Sequence, residues 1–267
     1  MLFCQLGGCH SIRDISNVLR SITGNINHLG VSTAPSKSTI AYQNTHRSWK
    51  VFRDYYYVLR QRLGQQRGNW HGLANIGAKI KLLDSSTITM SLSAFPWAHY
   101  THEKGAVKLH TLLDLDMQVP DFIHITDGKH TDAKSAFEIP ISKGEVIVAD
   151  RGYQDFELLR FWDSKKAFFV VRHRLDLQFD SRSEIELPDV GEEHILKDEI
   201  IFLKNKPTLE KYPKELRRVV VFVEGKEHAI ELLTNNFTWD SSVVAALYKD
   251  RWYIESFFKS VKQLLHI

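Results

Sequence analysis

Two aspartates in this chain follow short apolar runs of the kind that form buried strands. Asp84 follows Ile80-Lys-Leu-Leu in the context Asp84-Ser-Ser-Thr-Ile, and Asp150 follows Val146-Ile-Val-Ala in the context Asp150-Arg-Gly-Tyr. A single aspartate at a strand end is most often a turn former. Two in matching places form a candidate pair, because open sheets put ligand sites at the carboxyl ends of their strands. A third acid comes from the C-terminal helical pattern, which contains Tyr248, Arg251, Glu255 and Lys262. At about 100° per residue these four share one narrow stripe. Leu247, Ile254, Phe258, Val261 and Leu265 form a separate apolar stripe beside it, so Glu255 is expected at the border of the face that packs on a sheet. Without the two aspartates the better reading would be an Arg251–Glu255 ion pair at i,i+4 spacing on a solvated helix.

Three carboxylates are the hard oxygen ligands that Mg²⁺ or Mn²⁺ prefers, and a shared carboxylate can bridge two such ions about 4 Å apart. In phosphodiester chemistry one ion activates water or a 3′-hydroxyl and the other stabilises the leaving oxygen. Arg251 and Lys262 would then bind phosphates near the cut and add salt-dependent affinity. Arg172 and Arg174, just after an apolar run, are further candidates for phosphate contact by position, against a reading as ordinary surface arginines. A zinc site is the weaker alternative: His99, His102 and His110 cluster near His124 and His130, but thirteen histidines make such clusters unsurprising and packing or DNA contact accounts for them better. Asp114, Asp116, Asp127 and Asp132 are the acids that could displace the assignment if one lies closer to Asp84.

These acids need elements to carry them. Residues 1–77 read as a helical domain, with Ile12, Ile15 and Leu19 spaced at three and four. Ser36 caps a short helix through Asn44, and a longer helix follows from Trp49 to Leu63, bearing Tyr55, Tyr56 and Tyr57 among arginines. From residue 78 the texture becomes β-rich. Strands are expected at Ile80–Leu83, Val107–Leu115, Phe122–Thr126, Glu145–Ala149 and Phe168–Val171, with helices near Asp132–Phe137 and Gln154–Ser164. Residues 176–236 read as a β-rich, acid-rich insertion broken by prolines, with runs at Ile200–Leu203 and Val219–Val223. Residues 237–267 hold the last helix, from about Ser242. Strand, strand, strand, helix, strand, helix, strand and a final helix is the element order of ribonuclease H-like α/β folds, a mixed sheet flanked by helices.

With 267 residues and 43% hydrophobic content, the chain can bury one sizeable core plus an accessory domain. No apolar run approaches the roughly 20 residues that span a bilayer, and a cytoplasmic protein is the expectation. Cys4 and Cys9 read as reduced thiols, not a disulfide framework. The net charge of +3 conceals an asymmetry: residues 1–80 hold ten Lys or Arg against Asp14 and Asp54, a surplus of +8, leaving −5 for the remainder. A basic N-terminal segment fits a polyanion partner.

Taken together, these residues resemble the DDE transposases of insertion sequences that move by cutting and pasting, in the group marked by a Y-R-E-K signature. Tyr248, Arg251, Glu255 and Lys262 fit that signature at every spacing. Asp84-Ser-Ser-Thr-Ile and Asp150-Arg-Gly-Tyr look like the family's first two acid motifs. Gly105-Ala-Val-Lys-Leu-His and Ile125-Thr-Asp-Gly-Lys-His-Thr-Asp resemble its text between them, so the likeness covers about Leu82 to Lys262. The resemblance implies a transposase that cleaves DNA and transfers strands with two Mg²⁺ or Mn²⁺ ions on Asp84, Asp150 and Glu255. Tyr248, Arg251 and Lys262 would contact phosphates. The implied partners are double-stranded DNA, both terminal inverted repeats and target, and a second copy of the chain in the DNA complex. In relatives an insertion-domain tryptophan can support a flipped base; Trp239 is the candidate here, with core packing the better reading. Apolar residues already at Met1 and a helical pattern still running at Ile267 suggest truncation at both ends. The rival readings are a ribonuclease H-like nuclease without strand transfer and a DNA-binding remnant with an inactive core.

Overall fold

The computed structural model describes residues 7–22, 26–66, 76–90, 105–173, 177–187, 194–225 and 228–265. The chain divides into two compact units, Met1–Gln65 with Val261–His266, and Gln66–Ser260. The first is helical: α1 (Ile12–Ser21), α2 (Lys37–His46) and α3 (Lys50–Gln66). Ser11 and Ser36 accept the backbone N–H groups of Asp14 and Thr39, satisfying donors that a helix start leaves open. Ser16 donates to the Pro35 carbonyl at 3.0 Å and ties α1 to the turn before α2. Tyr55 and Tyr57 stand exposed on α3. Among the described residues no helix is long and apolar enough to cross a membrane.

The second unit is built on β1 (Ile80–Met90), β2 (Gly105–Asp114), β3 (Val119–Asp127), β4 (Val146–Ala149) and β5 (Phe168–Arg172), with α4 (Asp132–Ala136) and α5 (Phe156–Ser164) between them. Their order in the sheet is β3-β2-β1-β4-β5. β1 is antiparallel to β2 but parallel to β4, and β4 is parallel to β5. This is the ribonuclease H-like mixed sheet. Because side chains alternate across a strand, Leu83, Leu112, Ile147, Ala149 and Phe169 meet α5 through Leu158, Leu159 and Trp162 on one face. Leu82, Leu113, Val146, Val148 and Val170 meet Leu247, Ile254 and Phe258 on the other. These last three belong to α7 (Ser241–Asp250) and α8 (Trp252–Leu265). β4 is buried at every residue, as an unbroken apolar run between parallel neighbours requires, and each of its Val and Ile side chains contributes roughly 1.5–3 kcal/mol.

Between β5 and α7 the chain forms β6 (Phe179–Glu184), β7 (Ile195–Leu203), α6 (Lys206–Lys211), β8 (Leu216–Val221) and β9 (Ile230–Thr234). β9 pairs antiparallel with β5, from Val170↔Thr234 to Arg172↔Leu232, so this segment prolongs the main sheet to nine strands among the described residues. The sequence pattern marks parts of β7 and β8 but neither β6, whose Phe-Asp-Ser-Arg-Ser-Glu carries almost no apolar alternation, nor the short β9. Buried Arg217 on β8 forms a two-pronged ion pair with Asp198 on β7 and also donates to the Trp239 carbonyl. A buried guanidinium left unpaired would be strongly destabilising, so this junction fixes the segment leading into α7.

Candidate active site

Strand register brings Asp84 and Asp150 together. β1 and β4 pair as Leu82↔Val148 and Leu83↔Ala149, so the next residue on each strand is an aspartate. By alternation both carboxylates leave the sheet on the side of Leu82 and Val148, the face that α7 and α8 cover. Asp84 does not end its strand, as its flanks predict. β1 continues to Met90, held extended by β2 through the pairs Asp84↔Thr111 to Met90↔Gly105; what ends at Leu83 is the parallel pairing with β4. Asp150 does end its strand: its Oδ1 accepts the Gly152 N–H at 2.8 Å, opening the tight turn Arg151–Tyr153.

Glu255 arrives on α8. The helical pattern is not continuous from Ser242 to the end, as periodicity predicts, but is interrupted at Arg251. There the Arg251 N–H donates to the Tyr248 carbonyl and the Ile254 N–H to the Arg251 carbonyl, each three residues back. This tighter turn still leaves the expected stripe together. The Arg251 guanidinium lies 5.5 Å from the Tyr248 ring centroid, donates to Glu255 Oε1 and reaches to 3.4 Å from Asp84 Oδ2. The ion pair that offered the bland alternative therefore exists, but it also joins Glu255 to Asp84.

The acids share one field. Burial pushes the Asp84 carboxyl up to about 6; the Ser85 backbone N–H opposes this, Asp150 adds to it, Arg251 opposes and Glu255 adds. Burial also raises the Tyr248 phenol, against the pull of Arg251 and Arg172, which puts Arg172 in the same neighbourhood. Among the described residues no three acidic, histidine or cysteine side chains stand at common ligand spacing, and Arg251 reaches both Asp84 and Glu255. The Glu255 side chain is 54% exposed and has room to rotate. Lys262 lies in the last turn of α8 and belongs to the helical unit. Arg174 falls outside the described residues.

Of the other acids, Asp114 pairs with Lys81 at 2.7 Å and Asp127 accepts the backbone N–H groups of Lys129 and His130. Asp132, however, reaches the candidate site through Ser85. His110 is buried, with Nε2 3.0 Å from Thr126 Oγ1 and 2.9 Å from Ser135 Oγ, as a packed histidine should be; His99 and His102 fall outside the described residues. Trp239 packs against Phe168, ring centroids 5.2 Å apart. A cavity of about 690 Å³, which no sequence signal marks, opens beside Arg251 and Glu255 between β8, β9 and α7, with Phe222, Tyr248 and Trp252 in its wall.

The transposase DDE domain family matches residues 76–267. The chain belongs to the DDE transposase family. Residues 1–32 separately match a domain of unknown function (DUF4372). A protein named as a transposase for insertion sequence element IS5377 of Geobacillus stearothermophilus is 26% identical over 70% of this chain and 49% of its own length. A Sinorhizobium fredii protein named as transposase y4zB is 29% identical over 88% of this chain and 64% of its own. The chain thus spans about half to two thirds of these relatives. Among solved structures, the NurA nuclease from Sulfolobus solfataricus aligns with 75% of this chain and 85% of its own at 11% identity and a TM-score of 0.30, too weak a likeness to bear on fold or function. For this DDE transposase domain, the ribonuclease H-like sheet is the expected scaffold.

Proposed function

We propose that this chain carries the catalytic core of an insertion-sequence transposase, which hydrolyses phosphodiester bonds at transposon ends and joins the freed strands to target DNA. The observation that carries the reading is the register that sets Asp84 beside Asp150 on the face where Arg251 links Asp84 to Glu255. Three carboxylates, with Arg251 between two of them and Arg172 nearby, leave a surplus of negative charge in a partly buried place, which favours a divalent cation with oxygen ligands. Asp84, Asp150 and Glu255 would hold Mg²⁺ or Mn²⁺, two ions in all, which would supply activation of a water or 3′-hydroxyl and stabilisation of the leaving oxygen. For Glu255 to join the two aspartates, Arg251 must give up its bridging position, and a DNA phosphate is the natural new partner for its guanidinium. Tyr248 orients that guanidinium from below. Arg172, and by the family likeness Arg174 and Lys262, would hold the backbone on either side. A dimer on paired double-stranded ends follows from the same likeness.

The test is to incubate the chain with Mg²⁺ or Mn²⁺ and DNA bearing the element's terminal inverted repeats. Products joined to target DNA support the proposal. Breaks without joining would make the protein a nuclease. Binding without breaks, unchanged in Asp84→Ala and Glu255→Ala, would leave a DNA-binding protein alone.

A further inference from the structure

Asp132 stands on the opposite side of the sheet from the face where Glu255 arrives. Its Oδ1 accepts the Ser85 hydroxyl at 2.6 Å and the Lys108 ammonium at 2.8 Å, and His110 Nδ1 lies 3.4 Å away. These donors converge because β1 and β2 pair as Ser85↔His110 and Thr87↔Lys108, and Lys108 and His110, two apart, share a face. The other carboxylate oxygen lies toward the Asp150 turn: a methyl group at Gly152 would come within 3.4 Å of Asp132 Oδ2 and 2.9 Å of Asp150 Oδ1. The buried phenol of Tyr153 feels Asp132, Asp84 and Asp150 together.

Asp84 and Ser85 straddle the sheet. The Ser85 backbone N–H donates to Asp84 Oδ1 at 2.7 Å on one side, and its hydroxyl is held by Asp132 on the other. We propose that Asp132 is a positioning residue for both aspartates: through Ser85 it fixes the rotation of β1 that aims Asp84, and against Gly152 it backs the turn that aims Asp150. It acts through these groups and leaves the grip on the ions to the three acids already named. Lys108 and His110 fix the carboxylate in turn, so that the acid-bearing strand and the acid-bearing turn are braced by a single side chain. The proposal rests on the divalent-metal reading of Asp84, Asp150 and Glu255.

The test measures Mn²⁺ affinity of the full chain by electron paramagnetic resonance of free Mn²⁺, alongside circular dichroism melting, for wild type, Asp132→Asn, Ser85→Ala and Asp84→Asn. Asp132→Asn is expected to weaken Mn²⁺ binding by roughly 10- to 100-fold, the scale for residues that orient metal ligands, with the folded signal kept. Ser85→Ala removes the tether alone and should weaken binding roughly tenfold, the lower end of the same scale. It keeps the question decidable if Asp132→Asn fails to fold. Wild-type affinity in both variants, with loss in Asp84→Asn, overturns the positioning role and spares the metal reading. Wild-type affinity in Asp84→Asn as well overturns the reading beneath it.

Discussion

Lys81 and Asp84 lie three residues apart on β1, each among carboxylates, and the two surroundings behave in opposite ways. The Lys81 ammonium, its side chain 2% exposed, sits 2.7 Å from Asp114 and 2.7 Å from Asp121. Burial alone would lower it, but hydrogen bonds and charge from the two acids hold it above its ordinary value, firmly ionised. Asp84 is pushed toward its neutral form by burial, and Asp150 and Glu255 add to the push. Around Lys81 the strand has matched its buried charge with partners of opposite sign. Around Asp84 it has gathered like charges, with the Arg251 guanidinium between two of them, a surplus that a further cation would offset. Perturbed carboxylates in a cleft beside like charges are the usual mark of a functional place.

Breaking the matched surroundings of Lys81 should hurt the fold most. Lys81→Met leaves Asp114 buried without its cation and is expected to lower unfolding free energy by about 3–5 kcal/mol, read by urea denaturation, while whatever fraction folds keeps wild-type Mn²⁺ affinity. In the mismatched surroundings Asp84→Asn should instead leave the fold intact and cut metal-dependent DNA cleavage by roughly a hundred- to thousandfold, the scale of losing a principal electrostatic contributor. Retained cleavage in that variant would erase the contrast.

The same substitution sharpens the comparison thermodynamically. Because Asp84 has its folded pKa raised to about 6 from 3.8, its protonated form is favoured by folding. That contribution is complete below 3.8 and is lost as pH rises through about 6, so at pH 7.5 the ionised group costs stability in metal-free protein. Asp84→Asn should therefore raise metal-free stability at pH 7.5 by about 3 kcal/mol, given roughly 1.4 kcal/mol per pKa unit. The gain should vanish near pH 4. Wild-type Mn²⁺ affinity should rise with pH across the same window. A melting series of the two proteins from pH 4 to pH 8 decides the sign.

The smallest effect is steric. In Gly152→Ala the new methyl would press on Asp150 Oδ1 at 2.9 Å, so Mn²⁺ affinity should fall roughly tenfold, as for other disturbances of ligand orientation. The melting midpoint should move little, since the contact is with a side chain at the edge of a turn. An unchanged affinity would mean that the Asp150 carboxylate can swing aside without loss.

What could be read from the residues was whatever is local or periodic. The apolar runs before Asp84 and Asp150 located two strands, and a 3.6-residue period put Glu255 beside Arg251 even though the helix tightens at Arg251. Ser36 announced its helix through cap chemistry. Pairings between distant segments were not legible. Nothing in Ile230-Glu-Leu-Leu-Thr says that it will lie against β5, and Phe179–Glu184 earns its place as an edge strand by pairing with β7, not by pattern. Asp132 looks like a helix-start acid, and its actual neighbours, Ser85, Lys108 and His110, assemble only through the β1–β2 register. The length of β1 was missed for the same reason: the three residues after Asp84 are polar, and β2 is what keeps the strand extended to Met90.

The placement of β9 beside β5 also bears on when the chain can act. Asp84 and Asp150 are set by pairings completed within residues 80–172, which a growing polypeptide can form early. The helix bearing Glu255 follows β9, and β9 must find β5 across the whole intervening segment, a closure that long separation makes late. On the proposed chemistry, an unfinished polypeptide on the ribosome would carry two acids and lack the third, so its capacity to damage DNA would be withheld until nearly the whole core had been made.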